Sequence, residues 1–195
     1  MDNDDKLYEC FLKYNELMKY NYTYKLDGGI TFTLKFKKED LPHLLGLHKL
    51  IDYNIFKQLA DKKHVAGKIY KMIAEKDKAN SITYDYISKS QFFNVISNRI
   101  DNFHSIKDLL FSQVIINFDN SKIDTKLESN VILFEKKTNK YLHLCIVNKN
   151  HKTYPETFIV ESSNYYVKDQ DRRLVKNIEI EDFKAKTTKT INFGK

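Results

Sequence analysis

Residues 131–147 read VILFEKKTNKYLHLCIV, and this stretch decides the class of fold. Val131 to Phe134 and Tyr141 to Val147 are runs of β-branched, aliphatic and aromatic side chains, and the polar pair Thr138-Asn139 lies between them as a turn. Two such runs joined by so short a connection must pair antiparallel, because a parallel pair needs a crossover of about a dozen residues. Upstream, Val114 to Phe118 has the same character, and so does Phe158 to Val160 downstream. The C-terminal half is expected to be an antiparallel meander.

Toward the N-terminus the period of the apolar residues changes. From Asp4 to about Tyr20, Leu7, Tyr8, Phe11, Leu12, Leu17 and Met18 recur at helical spacing behind an Asn3/Asp4 cap signal, which predicts an amphipathic first helix. Tyr22, Tyr24 and Leu26 then alternate with polar residues, Gly28-Gly29 offers a two-residue turn, and Ile30, Phe32, Leu34 and Phe36 alternate again as the second arm of a β-hairpin. Acidic residues and Pro42 mark a helix start at Lys38 to Pro42, and the run to Ile51 is apolar nearly all round, so a buried second helix is expected. Further helices are expected from Asp61 to about Glu75, from Ser81 or Thr83 to Ile100, and from a Ser105 cap through Phe111. The class is therefore α+β, an N-terminal β-hairpin and helices packed on a C-terminal antiparallel sheet. One domain is expected over residues 1–165, its core at 20–165 behind the first helix, with 166–195 a polar basic tail or edge strand built on Ile178, Ile180 and Phe183.

With 195 residues and 42% hydrophobic side chains, the chain can bury one proper core. No apolar run approaches the roughly 20 residues of a membrane-spanning helix. Cys10 and Cys145 stand far apart, and no basic-then-apolar leader opens the chain, so a disulfide framework and export are not expected and a cytoplasmic location is. A formal charge of +7 favours an acidic partner such as nucleic acid. Of the 33 basic residues only Arg99, Arg172 and Arg173 are arginines, and a Lys-, Asn- and Ile-rich composition is also what an AT-biased genome would produce, so the basicity alone does not settle the partner.

The stretch Asp40-Leu-Pro-His-Leu-Leu-Gly-Leu-His-Lys-Leu50 follows the Thr31 to Phe36 strand. With Ser88-Lys-Ser90, Asn98-Arg99-Ile100, Phe103 and Tyr154-Pro-Glu-Thr-Phe158, it resembles the fourth phage-type group of the Barnase, EndoU, colicin and RelE-like nuclease superfamily. The resemblance spans roughly residues 20 to 165 and leaves the Arg172-Arg173 segment outside. It implies a compact α+β domain with helices on an antiparallel sheet, carried by mobile elements and acting as an RNA-cleaving effector or toxin without a metal or other cofactor.

Metal-free RNA cleavage needs a base for the 2′-hydroxyl, cations for the crowded phosphorane and an acid for the departing 5′ oxygen. His48 is the candidate base or acid, since an imidazole titrates near neutrality. Arg99 is the candidate phosphate clamp, because a guanidinium binds a phosphate bidentately. Thr157 or Glu156, beside Pro155 at a strand start, would assist, the hydroxyl by binding phosphate or the carboxylate by orienting His48 or serving as base; as strand neighbours they face opposite ways. Lys49, His43 and the hairpin lysines Lys137 and Lys140 are candidate substrate-binding residues. On a continuous helix His43 and His48 stand about 140° apart, which is not the i, i+4 pair of a helical metal site, so no metal is expected.

Each assignment has a plainer counterpart. His48 could be a core histidine bonded to a backbone carbonyl, Arg99 a cation favoured at a helix C-terminus, Thr157 an ordinary β-branched strand residue, and the lysine-rich turn a solvated hairpin tip. His64, His104, His143 and His151 have no constellation around them. Two functions follow: a metal-independent RNA endonuclease with RNA as substrate and a cognate antitoxin as partner, or a non-catalytic inhibitor from a mobile element that binds nucleic acid or an enzyme.

Overall fold

The computed structural model describes residues 5–59, 63–149 and 152–194. The expected Asn3/Asp4 cap, the Asp61 helix start and His151 lie outside the described residues. Two compact units divide the chain: Met1–Leu17 with Lys37–His104, and Met18–Phe36 with Ser105–Lys195.

The first unit is helical. Helix α1 (Lys6–Leu17) buries Leu7, Cys10, Phe11, Tyr14 and Leu17. Asp5 starts it, its Oδ1 accepting from the backbone amides of Leu7 and Tyr8 at 3.0 and 3.2 Å, which satisfies donors that have no partner within the helix. The same oxygen accepts from the amide of Tyr84 at 3.0 Å, beside helix α5 (Tyr84–Ser88), so one carboxylate holds two helix starts.

The expected second helix is divided. Helix α2 covers only Asp40–Leu44, and a 3₁₀ turn at Leu47–Lys49 follows Gly46, whose φ of 76° is left-handed. Burial was legible all the same: Leu41, Leu44, Leu45, Leu47 and Leu50 are all sealed from solvent, whereas Ile51, read as part of the apolar face, is exposed. A short helix α3 (Asn54–Lys57) follows, then α4 (Lys63–Ala74) in the third expected region. The expected fourth helix is also broken, into α5, a 3₁₀ turn at Phe93–Val95 and α6 (Ser97–Asn102). Asp52 lies at that break: its carboxylate accepts from the Ser90 hydroxyl at 2.7 Å and from the Gln91 amide at 3.1 Å, the latter a backbone donor that a continuous helix would have satisfied.

The second unit carries an eight-stranded antiparallel sheet in the order β2-β1-β7-β3-β4-β5-β6, with β8 also paired to β7. Strands β1 (Tyr20–Leu26) and β2 (Thr31–Lys35) form the expected hairpin around Asp27–Gly29, where Gly28 and Gly29 take positive φ. The hairpin is not an element apart from the C-terminal sheet, as its sequence position suggested, because β1 pairs with β7 (Asp171–Asp182) from Tyr20↔Asp182 to Leu26↔Val175. Strands β3 (Val114–Asn117), β4 (Val131–Lys137), β5 (Lys140–Lys149) and β6 (Lys152–Glu161) form the meander, the last three longer than the apolar residues alone imply. Helix α7 (Ile106–Leu109) packs against β4 and β5.

Residues read as a polar tail or edge strand thus include an interior one. The first part of β7 pairs with β3, and its later part lies between β1 and β8 (Thr187–Asn192). Its polar residues misled because only Val175 and Ile178 of the strand are buried, its strand character coming from backbone pairing on both sides. Strands β2 and β6, at the two ends of the order, approach each other and curl the sheet toward a barrel.

Candidate active site

Gly46 organises the candidate site of the helical unit. After α2 the Leu45 amide bonds to the Leu41 carbonyl at 3.0 Å and the Gly46 amide to that of His43 at 2.9 Å; Gly46 then turns left-handed and its carbonyl accepts from Lys49 at 2.9 Å. A side chain there is excluded twice over. The φ disfavours an L-residue, and a Cβ would lie 3.2 Å from both Cδ and Nη1 of Arg99 and 3.1 Å from Cγ2 of Ile96. The missing side chain is the space in which the Arg99 guanidinium lies against the backbone.

The turn also brings together side chains that a straight helix would separate. The His43 and His48 rings lie 5.8 Å apart with 35° between their planes, so the expected divergence of about 140° does not occur: left-handed Gly46 interrupts the helix between them. His43, His48, Lys49 and Arg99 are all half-buried. Burial holds the imidazole of His48 down to about 4, and the positive charges of His43, Lys49 and Arg99 act in the same direction. His43 is lowered by burial, and Lys49 by burial first and then by Arg99. His48 is therefore neutral at neutral pH rather than poised between its two forms. Among the described residues its buried Nδ1 has no hydrogen-bond partner, so none of their backbone carbonyls holds that nitrogen as the plainer reading requires.

Thr157 and Glu156 lie in the sheet-bearing unit. The register of β5 against β6 slips there, Cys145 facing Thr157 and Ile146 facing Pro155, so Glu156 is the extra residue of a bulge. Glu156 has structural work: one carboxylate oxygen accepts from the Glu128 amide at 3.0 Å, and the other from the Ser129 amide at 2.8 Å and from the Ser129 hydroxyl. Thr157 is buried. Lys137 lies 2.8 Å from Glu135 and 3.9 Å from Asp108, and Lys140 opens β5 across the same hairpin. His43, His48, Lys49 and Arg99 thus gather in one unit, while Thr157, Glu156, Lys137 and Lys140 belong to the other.

Among the described residues no group of three or more His, Cys, Asp or Glu side chains is placed to hold a metal ion, and no helix is long and apolar enough to cross a membrane. Cys10 and Cys145 are both buried, and no disulfide joins them. Gly46 is the residue that sequence reasoning missed. Its signal was present, a glycine inside an otherwise strong helical run, but the apolar spacing on both sides outweighed it.

Imidazoles beside a lysine and an arginine, on a chain of mixed helices and antiparallel strands, suit the handling of a phosphodiester, and the class is that of a nuclease of the Barnase, EndoU, colicin and RelE type. The chain belongs to the family described as phage-Barnase-EndoU-ColicinE5/D-RelE like nuclease4, whose model matches residues 6–195. No curated protein and no solved structure matches it. The match takes in residues 166–195, Arg172 and Arg173 included, which the resemblance read from sequence left outside.

Proposed function

We propose that the chain is a metal-independent RNA endonuclease, a toxin or mobile-element effector, that cuts by general acid–base catalysis at the cluster of His43, His48, Lys49 and Arg99. The observation that carries this reading is the half-buried pair of imidazoles beside Lys49 and Arg99, with His48 kept in its neutral, proton-accepting form. Neutral His48 takes the proton of the ribose 2′-hydroxyl as that oxygen attacks phosphorus. Arg99, seated over Gly46, offers a fork of N–H donors to the phosphorane oxygens as their charge grows. Lys49, lowered by burial and by Arg99, is a readier proton donor than an exposed lysine and protonates the 5′ oxygen as its bond to phosphorus breaks. His43 contacts the phosphate from the far side of His48. The products are a 2′,3′-cyclic phosphate and a 5′-hydroxyl.

Entry of a phosphate raises the pKa of both imidazoles, since an anion offsets the neighbouring positive charges. Proton transfer to His48 thus becomes more favourable as substrate binds. Glu156, engaged by Glu128 and Ser129, serves this reading as a structural carboxylate rather than as the base.

The test is incubation of the purified chain with total and defined RNAs in excess EDTA, beside His48→Ala and Arg99→Ala, with the ends mapped. Cleavage to cyclic phosphate ends that both substitutions abolish in folded protein is the expected result. Absence of cleavage with RNA or protein binding retained would favour the inhibitor reading instead.

A further inference from the structure

We propose that a second cleft, within the sheet-bearing unit, binds the sugar–phosphate backbone of single-stranded nucleic acid and seats an unstacked base. The cleft encloses about 580 Å³, within the roughly 300–1,000 Å³ of ligand pockets. Lys136 from β4, Lys168 from the β6–β7 connection and Arg172 from β7 line it, together with Phe134, Tyr141 and the single carboxylate of Asp169. All three cations are exposed, and among the described residues none of them makes an ion pair, although elsewhere in this unit Lys25, Lys122, Lys137 and Arg173 each do. Three positive charges against one negative charge around a concavity select an anion.

Rings beside the cations narrow the choice. The Lys136 ammonium lies 5.9 Å from the centroid of Tyr141, and the Arg172 guanidinium 5.9 Å from that of Phe134. Each cation thus lies over an aromatic ring, and cations interleaved with rings are the means by which single-strand binders take a phosphate and a base together. A fully stacked duplex has no free base face to offer, which favours an unpaired strand. The walls are fixed in advance. Tyr141 stacks on the buried ring of His143 at 6.4 Å, and Gln170 is tied to Asp119 by two hydrogen bonds of 2.9 and 3.0 Å. The turn carrying Lys168 is closed by its own amide and that of Val167, both donating to the Asn164 carbonyl at 2.8 and 2.9 Å. Little ordering is left for the ligand to impose.

The test is fluorescence anisotropy with a labelled 2′-O-methyl oligoribonucleotide of about 12 residues, inside the roughly 4–16 that single-strand-binding folds cover. That strand has no free 2′-hydroxyl, so binding is read whether or not the His48 cluster cleaves, and the two readings fail separately. The variant combining Lys136→Gln, Lys168→Gln and Arg172→Gln is expected to bind about tenfold or more weakly, with a salt slope lower by about 2, from three phosphate contacts at about 0.7 each. Combining Lys184→Gln, Lys186→Gln and Lys189→Gln removes the same charge from exposed positions and is expected to leave the affinity within about twofold. In the wild type, bound strand should protect Lys136 and Lys168 from acetylation. Equal weakening by both triple variants, an unchanged affinity in the first, no protection, or equal competition by duplex or by poly-glutamate would overturn the proposal.

Discussion

Gly46→Ala should injure the candidate site by displacing Arg99 while leaving the chemical identity of every candidate side chain unchanged. At φ 76° an alanine costs about 1–2 kcal/mol relative to glycine. The new methyl group would also stand 3.1 Å from Cγ2 of Ile96 and 3.2 Å from Cδ and Nη1 of Arg99. Ile96 is fully buried and has little room to yield, so the arginine must. For a chain of this size the backbone term alone lowers Tm by about 2–8 °C. Displacing the guanidinium by about 1 Å from a phosphorane oxygen should lower kcat/KM by about 100-fold. Gly29→Ala is the control: it has a similar φ of 78° with nothing within 4 Å of its Cβ position, so it carries the backbone cost without moving any cation. Thermal melts and single-turnover cleavage of a defined RNA, run on both variants and on Arg99→Ala, decide the matter. Full kcat/KM in Gly46→Ala alongside a severe loss in Arg99→Ala would refute the claim that the glycine seats the clamp, as would equal losses in the two alanine variants.

The acid limb of the pH profile of kcat/KM should lie near 4, where His48 protonates in the free protein, rather than near the ordinary value of about 6.5; a limb at the ordinary value would exclude His48 as the base. Stability should fall as pH drops from about 6.5 to 4, because His48 and His143, both held near 4 by burial, take up protons less readily folded than unfolded, each contributing about 3 kcal/mol that is present above the upper limit and lost below the lower. Asp40, raised to about 6 by burial, works the other way: its folded form binds the extra proton between about 4 and 6, so urea midpoints of Asp40→Asn should fall more steeply than those of the wild type over that range. Glu156→Ala leaves the Glu128 and Ser129 amides without their acceptor and should destabilise the chain by about 2–3 kcal/mol in urea titration, with cleavage per folded molecule unchanged; a loss of cleavage without a loss of stability would return Glu156 to the chemistry.

Much of the sheet was legible because its signal is local. The residues 131–147 carry their own turn at Thr138-Asn139, and the pairing of β4 with β5 follows from chain proximity alone. The place of β7 was not legible for the opposite reason. Its partners in β1 lie more than 140 residues away, as Tyr20↔Asp182 shows, and a strand whose side chains are mostly exposed offers no apolar period to announce an interior position. The broken helices have a different cause. Apolar spacing reports which residues are buried, and on that count Leu41, Leu44, Leu45, Leu47 and Leu50 were read correctly; but it does not report backbone continuity, which here turns on one glycine.

That distinction bears directly on the candidate site. Read as a helix, His43 and His48 diverge and Lys49 points elsewhere, so the residue types fit the chemistry while the geometry does not. With a left-handed residue between them the same side chains converge, and the space left by the absent Cβ admits the arginine from α6. The glycine therefore does for this cluster what a sharp turn does in many active sites: it spends local backbone regularity to bring reactive groups of one short segment together, in a surrounding core of leucines rigid enough to hold them. A substitution that restored a straight helix through position 46 would keep every candidate side chain and still dismantle the arrangement on which the proposed chemistry depends.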